Sequence, residues 1–172
     1  MQKAIKLLDK SVFYLTGVLF IILFLVNIVQ IIFRATSGKS ILWVVDFSQL
    51  TMIWIVFLGA SVAVYRHEHL LIDFIKQKVS ILSSHILDLI TRSLFLVFMI
   101  VVVFTGVEIV KIRMNMSFIS LGWPIGYAYV ALPISGVIIS IYLINFIIGT
   151  FKKIFKKENT KHKHTGELNN VK

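Results

Sequence analysis

The sequence has 172 residues, of which 58% are hydrophobic and 15% are charged, whereas an average soluble domain has roughly 45 to 50% and about 25%. This composition excludes a water-soluble globule, and the absence of cysteine excludes disulfides, iron–sulfur clusters and thiolate zinc sites. The formal net charge of +10 comes from 18 Lys and Arg that lie between or beyond the apolar blocks, so it indicates membrane topology rather than a nucleic-acid partner.

Four apolar segments are long enough to cross a bilayer as helices. A transmembrane helix needs about 20 mainly apolar residues to span ~30 Å of hydrocarbon. The sequence predicts such spans at about residues 11–33, 41–65, 86–110 and 126–151. The first segment is longer than the apolar region of a signal peptide and ends in Arg34, so we expect it to be retained as a span.

The distribution of positive charge predicts the orientation of these spans. Fourteen of the 18 Lys and Arg lie before span one, between spans two and three, or after span four, counting Arg92 near the start of span three, and four lie in the other two loops. Because loops rich in Lys and Arg stay in the cytoplasm, both termini and the middle loop are expected there. Residues 152–172 are predicted to form a basic, disordered cytoplasmic tail that touches anionic membrane lipids, although His162 and His164 could hold a stray metal ion.

Residues 70–84 are too polar to cross a bilayer but follow a helical pattern. At 100° per residue their apolar side chains occupy one half of the cylinder, which predicts an amphipathic helix on the cytoplasmic leaflet. His69 and Asp73, four residues apart, either orient this helix against span two or a partner, or are simply solvated. The predicted fold class is therefore an all-α integral membrane protein, with a four-span domain at residues 1–151 and the tail after it.

Ionisable residues near the ends of the spans are predicted to form structural ion pairs. Arg34 and Asp46 are placed to contact each other at the outer ends of spans one and two, with substrate or ion binding as the alternative. Asp88 and Arg92 have the i, i+4 spacing of a helix-surface pair. No histidine lies well inside a span to bind haem, and span one has no acid for proton-coupled drug export, so the sequence predicts no cofactor or metal site in this chain.

Small residues at three- or four-residue spacing predict faces where helices pack closely. Pro133 has no backbone N–H and is expected to kink span four. The candidate packing residues are Gly59, Ala60 and Ala63 in span two and Ala128, Ala131 and Ser135 in span four.

Span two and the segment after it carry a distinctive order of residues. A Trp and an acid open the span, and a Phe-Leu-Gly-Ala stretch leads into a basic residue, a histidine and an aspartate. The residues at these positions are Trp43, Asp46, Gly59, Ala60, Ala63, Arg66, His69 and Asp73. This order resembles the small membrane subunit of tripartite ATP-independent periplasmic (TRAP) transporters. The Leu-Gly-Trp-Pro run at 121–124 resembles the entry to span four in that family. The chain departs from the family at Val45, where a second acid is usual, and at Gln49, near the place of a basic residue.

The resemblance implies a symporter of three components, located in a bacterial inner membrane. A periplasmic substrate-binding protein delivers the solute, a large multi-span membrane subunit carries the sodium and substrate sites, and the small subunit braces its scaffold without being an enzyme. Sialic acid and C4-dicarboxylates are both compatible solutes. A stand-alone homo-oligomeric four-span channel or transporter is the alternative that the residues leave open.

Overall fold

The computed structural model describes the backbone of residues 2–66 and 81–169 and the side chains of residues 3–66 and 89–151. Within these residues the secondary structure is helical, apart from short turns and an antiparallel bridge between Ser117 and Pro124, which confirms the all-α prediction. The helices are α1 (Gln2–Ser37), α2 (Leu42–Arg66), α3 (Ile81–Arg113), α4 (Gly126–Tyr129) and α5 (Ala131–Asn169).

Four helical segments in the described part of the chain are long and apolar enough to cross a membrane, which confirms the four-span prediction. They are Lys3–Ser37, Leu42–Arg66, Leu89–Arg113 and Gly126–Phe151. Contacts between the four segments bring their ends together in two groups, one at each end of the bundle. The start of α1 and the ends of α2 and of span four form what we call the terminal end, and the loops at 38–41 and 114–125 form the loop end.

The third helix begins earlier than the sequence predicts. α3 starts at Ile81, so residues 81–84, which were expected to end the amphipathic helix, belong instead to the same helix as span three. The rest of that predicted helix, at residues 70–80, lies outside the described residues. Helical periodicity alone does not decide to which of two neighbouring predicted helices residues 81–84 belong.

Span four is interrupted at Val130, which separates α4 from α5. Pro133 is the third residue of α5, and its missing N–H cannot supply the donor that the carbonyl of Tyr129 would have in a continuous helix. The interruption therefore lies where the proline is expected to distort the span.

α5 continues as a helix to Asn169, whereas the sequence analysis predicted a disordered tail from residue 152. The stretch between Phe151 and Gly166 contains no proline or glycine and is rich in lysine, which has a good helix propensity. Nothing in these residues forces the helix to end where the apolar sequence ends.

α2 and α5 are the two middle helices of the bundle. α1 packs mainly on α2, α2 packs on α5, and α5 packs on α3. In the most apolar stretch of span four 39% of the residues are buried, against 6% in span one. α1 therefore turns most of its apolar side chains to the outer surface, where lipid or another protein covers them. The clusters that join the helices are Val12, Leu58 and Val62 between α1 and α2, and Ile5, Tyr142 and Phe146 between α1 and α5.

Candidate functional site

At the loop end, the carboxylate of Asp46 holds the loop between α3 and α4. Its Oδ2 accepts hydrogen bonds from the backbone nitrogens of Ser120, at 2.7 Å, and Leu121, at 3.0 Å. Within the loop the N–H of Phe118 donates to the carbonyl of Trp123 at 2.9 Å, which closes a short hairpin. Charge-assisted bonds of this kind are stronger than neutral ones, so Asp46 anchors the hairpin near the start of α2.

The predicted ion pair between Arg34 and Asp46 is not formed. The ion pair within the described residues lies at the terminal end, and the Arg34 side chain is exposed. Backbone N–H groups satisfy Asp46 without immobilising a long side chain, and they come from a loop too distant in sequence for helix spacing to reveal. At this end α1 and α2 are joined instead by Asn27, whose Nδ2 donates to the hydroxyl of Ser48 at 3.0 Å.

An apolar groove lies beside the anchored hairpin, between α2 and the start of span four. It has a volume of about 570 Å³, and the indole Nε1 of Trp54 donates to the carbonyl of Tyr127 at 3.1 Å along its wall. The residues that line it are Leu50, Trp54, Trp123, Pro124, Tyr127 and Val130. With no charged side chain in this lining, the groove suits an apolar group rather than an anionic solute.

At the terminal end, Asp9 of α1 forms an ion pair with Arg66, the last residue of α2. Nη2 of Arg66 lies 3.7 Å from Oδ2 of Asp9, and the guanidinium carbon lies 3.8 Å from the centroid of the Phe13 ring. Asp9 is 7% exposed, whereas the Arg66 side chain is 46% exposed. The sequence analysis missed Asp9, although its position four residues after Ile5 and three before Val12 places it on the buried face of α1.

An aromatic cluster surrounds this ion pair. Tyr142 of α5 is fully buried, and its ring centroid lies 4.9 Å from that of Tyr65, the residue next to Arg66. Tyr65 also stacks on Phe146 at 5.8 Å, and the guanidinium of Arg92 lies 5.2 Å from the Phe146 centroid. Among the described residues, Oδ1 of Asp9 and the hydroxyl of Tyr142 are buried without a hydrogen-bond partner. Side chains from all four spans therefore meet at the terminal end.

Three of the predicted polar residues have side chains outside the described part of the chain. The Asp88 side chain lies outside the described side chains, so its pair with the buried Arg92 stays a prediction. His69 and Asp73 lie outside the described residues altogether. Trp43 is described and lies at the loop end, with 46% of its surface exposed.

The small residues of spans two and four are placed differently. Those of span four are buried, with exposed fractions of 0% for Ala128, 0% for Ala131 and 2% for Ser135. In span two Ala60 and Ala63 are exposed, and a Cβ added to Gly59 would meet Thr16 Cγ2 at 3.9 Å, an ordinary van der Waals distance. Within the chain itself, Ala60 and Ala63 therefore do not set a close helix contact.

Two glycines lie instead at a close contact between α3 and α5. A Cβ on Gly136 would lie 2.7 Å from Cγ2 of Val103, and a Cβ on Gly106 would lie 3.2 Å from the side chains of Leu132 and Pro133. Neither glycine was predicted from the sequence. Gly106 has no second small residue three or four positions away, whereas Gly136 and Ser140 do have that spacing and could have indicated a packing face.

Asp46 at the loop end and Asp9 at the terminal end each bind another part of the same chain. Within the described residues, no group of three or more His, Asp or Glu side chains is arranged to hold a metal ion. The arrangement fixes four helices and one hairpin relative to each other and leaves wide apolar surfaces on α1 and α2 uncovered.

Comparison with known proteins gives a family match and two relatives. The model of the DctQ component of tripartite ATP-independent periplasmic transporters matches residues 23–153. A relative from Haemophilus influenzae strain Rd, named as a TRAP transporter small permease protein, is 28% identical over 157 residues, which are 91% of this chain and 93% of that protein. The sialic acid TRAP transporter permease protein SiaT of Haemophilus influenzae strain 86-028NP is 36% identical over 70 residues, which are 41% of this chain and 11% of that protein.

Proposed function

Because the chain belongs to the DctQ component family of tripartite ATP-independent periplasmic transporters, we propose that it is the small membrane subunit of a sodium-coupled importer of an anionic carboxylate. The observation that carries the proposal is the family match over residues 23–153, which reaches from the first span into the last. Sodium and solute bind to a large multi-span partner subunit, a periplasmic protein delivers the solute, and this chain has no catalytic role.

The internal contacts support a bracing role for the chain. Asp46 ties the hairpin to α2, Asp9 and Arg66 tie α1 to α2, and close packing at Gly136 ties α3 to α5. A protein built from such contacts is suited to act as a fixed support, since packed helices do not deform continuously. We infer that the transport domain of the large subunit moves against this support.

The exposed face of α2 is the surface that we assign to the large subunit. Its exposed residues recur at three- or four-residue spacing along the helix and are Val45, Gln49, Met52, Val56, Ala60 and Ala63. The amide of Gln49 would lack hydrogen-bond partners against lipid, and the two alanines allow another helix to approach closely.

The charge distribution supports an orientation in a bacterial inner membrane. Lys3, Lys6, Lys10 and Arg66 lie at the terminal end, as does the basic segment after span four, so we place that end in the cytoplasm. The loop end then faces the periplasm and the binding protein. Sialic acid, named for one relative, and C4-dicarboxylates are the two solutes to test.

Reconstitution of the three components tests this proposal. The chain, its large subunit and the binding protein are combined in proteoliposomes, and uptake of labelled sialic acid and of labelled succinate is followed under an inward sodium gradient. Uptake of one solute is expected only with all three proteins and the gradient. Liposomes without this chain, or with an equal potassium gradient, are the controls.

Two results would contradict the assignment of this chain as the small subunit. Uptake by this chain alone would favour the stand-alone transporter, and unchanged uptake after omission of this chain would remove its role in the complex. Uptake that proceeds equally in potassium would leave the subunit assignment intact but would refute sodium coupling.

A further inference from the structure

Exposed lysines follow one face of α1 at the terminal end. The side chains of Lys3, Lys6 and Lys10 are exposed, and at 100° per residue they fall with Tyr14 within an arc of about 80°. The buried Asp9 lies on the side of α1 that faces the bundle. The lysines therefore point away from the other helices.

Two aromatic rings border this row of lysines. Phe13 and Tyr14 are 44% and 60% exposed, and their ring centroids lie 5.8 Å apart in an edge-to-face arrangement. Nζ of Lys10 lies 5.9 Å from the Tyr14 centroid, and the guanidinium of Arg66 lies 3.8 Å from the Phe13 centroid. Each ring therefore carries a cation on one side and offers apolar carbon to its surroundings.

These residues lie at the boundary between the charged and the apolar parts of α1. Lys10 directly precedes the charge-free stretch at 11–33. From Lys6 to Lys10 the helix rises about 6 Å, which is comparable with the roughly 5 to 7 Å of headgroup layer on each side of a bilayer. Exposed aromatic rings favour the same level. With span one in the membrane, the lysines lie among the headgroups and the rings lie just beneath them.

We propose that this face of α1, together with Arg66, binds the headgroup of an anionic phospholipid such as phosphatidylglycerol. Among the described residues, the acid that contacts this patch is Asp9, which is buried and already paired with Arg66. This surplus of positive charge is complementary to an anionic phosphodiester. The patch continues directly into the apolar surface of span one, so its occupant carries acyl chains and is a lipid rather than a soluble anion.

Lipid titration of the purified full-length chain tests the proposal. The chain in detergent is titrated with dioleoylphosphatidylglycerol or with dioleoylphosphatidylcholine, and bound lipid is counted by native mass spectrometry. The unmodified chain is expected to bind the anionic lipid about tenfold more tightly or better. The combined variant Lys3→Gln, Lys6→Gln, Lys10→Gln is expected to reduce this preference to about twofold or less.

A second triple variant controls for net charge. Lys39→Gln, Lys111→Gln and Arg113→Gln remove three charges from the loop end and are expected to leave the preference unchanged. Equal losses in both triple variants would show that only net charge matters and would overturn the proposal. It would also be overturned by equal binding of the two lipids to the unmodified chain, or by displacement of the anionic lipid with inorganic phosphate. None of the six substituted residues belongs to the face of α2 that we assign to the large subunit, so the result is independent of the transport function.

Discussion

The carboxylate of Asp46 lies 2.7 Å from the backbone nitrogen of Ser120, and this contact joins α2 to a loop 74 residues further along the chain. The loop carries Trp123 and leads directly into the broken start of span four. One side chain near the start of α2 therefore determines where the last span begins. Because the donors are backbone groups, the contact depends on the fold of the hairpin and not on the identity of the residues that donate.

Substitution of Asp46 tests this anchor. Asp46→Ala leaves the N–H groups of Ser120 and Leu121 without their acceptor, which is expected to lower the local opening free energy by about 1 to 3 kcal/mol. Amide hydrogen exchange of the hairpin should then be roughly 5- to 150-fold faster, as measured by mass spectrometry in detergent. Asp46→Asn keeps a neutral acceptor and should show a smaller increase. Glu108→Gln, another acid near the loop end, is the control, and equal exchange in all four proteins would refute the anchor.

The two partners of the terminal ion pair are expected to differ in importance. Arg66→Ala leaves a buried carboxylate unpaired, whereas Asp9→Ala leaves a guanidinium that is half exposed and can be hydrated. Because one partner is accessible to solvent, we expect Arg66→Ala to lower the free energy of unfolding by about 1 to 2 kcal/mol and Asp9→Ala to lower it by about 0 to 1 kcal/mol. Chemical unfolding in mixed micelles measures both, and the double variant should lose less than the sum of the two. If Asp9→Ala lowered the free energy of unfolding more than Arg66→Ala, the burial of the Asp9 carboxylate would not explain the difference between the two partners.

Close packing between α3 and α5 predicts that Gly136 does not tolerate a methyl group. In Gly136→Ala the new Cβ would lie 2.7 Å from Cγ2 of Val103, so the Val103 side chain or the helices must shift, at an expected loss of about 1 to 3 kcal/mol of unfolding free energy. Thermal unfolding measures the loss. Val103→Ala in the same chain should recover part of it, because it removes the clashing methyl.

Gly149 offers a matched control for that substitution. A Cβ on Gly149 meets nothing within 4 Å, so Gly149→Ala is expected to be neutral or to stabilise the helix by up to about 1 kcal/mol. If both alanine variants unfolded alike, the close contact with Val103 would not limit stability.

The exposed face of α2 predicts a separation between folding and assembly. Ala63 is exposed, so Ala63→Leu should leave the thermal stability of the isolated chain unchanged within about 0.5 kcal/mol. If the large subunit packs on this face, the added volume should reduce co-purification of that subunit several-fold. Gly17→Leu places the same side chain in open space on α1 and is the comparison. Loss of assembly in Gly17→Leu alone would move the interface to α1.

The four spans were predictable because length, apolarity and the absence of charge are local properties of a segment. Residues 11–33, for example, cross the membrane whichever helix they contact, since the backbone must satisfy its own hydrogen bonds in lipid. The same reasoning reached the fold class, and the kink expected at Pro133 lies close to the interruption of span four at Val130. The ends of the helices were less predictable than their existence. A helix continues through polar sequence when no residue terminates it, as from Phe151 to Asn169.

The partners of individual side chains were decided only by the tertiary structure. Ala60 and Ala63 have the same type of spacing as Ala128 and Ala131, yet the first pair is exposed and the second pair is buried. Spacing shows that a helix face permits close approach, but which face is covered depends on the position of the helix in the bundle, and span four is more buried than span two. The backbone donors that bind Asp46 have no signature in sequence, because every residue except proline carries the same N–H group.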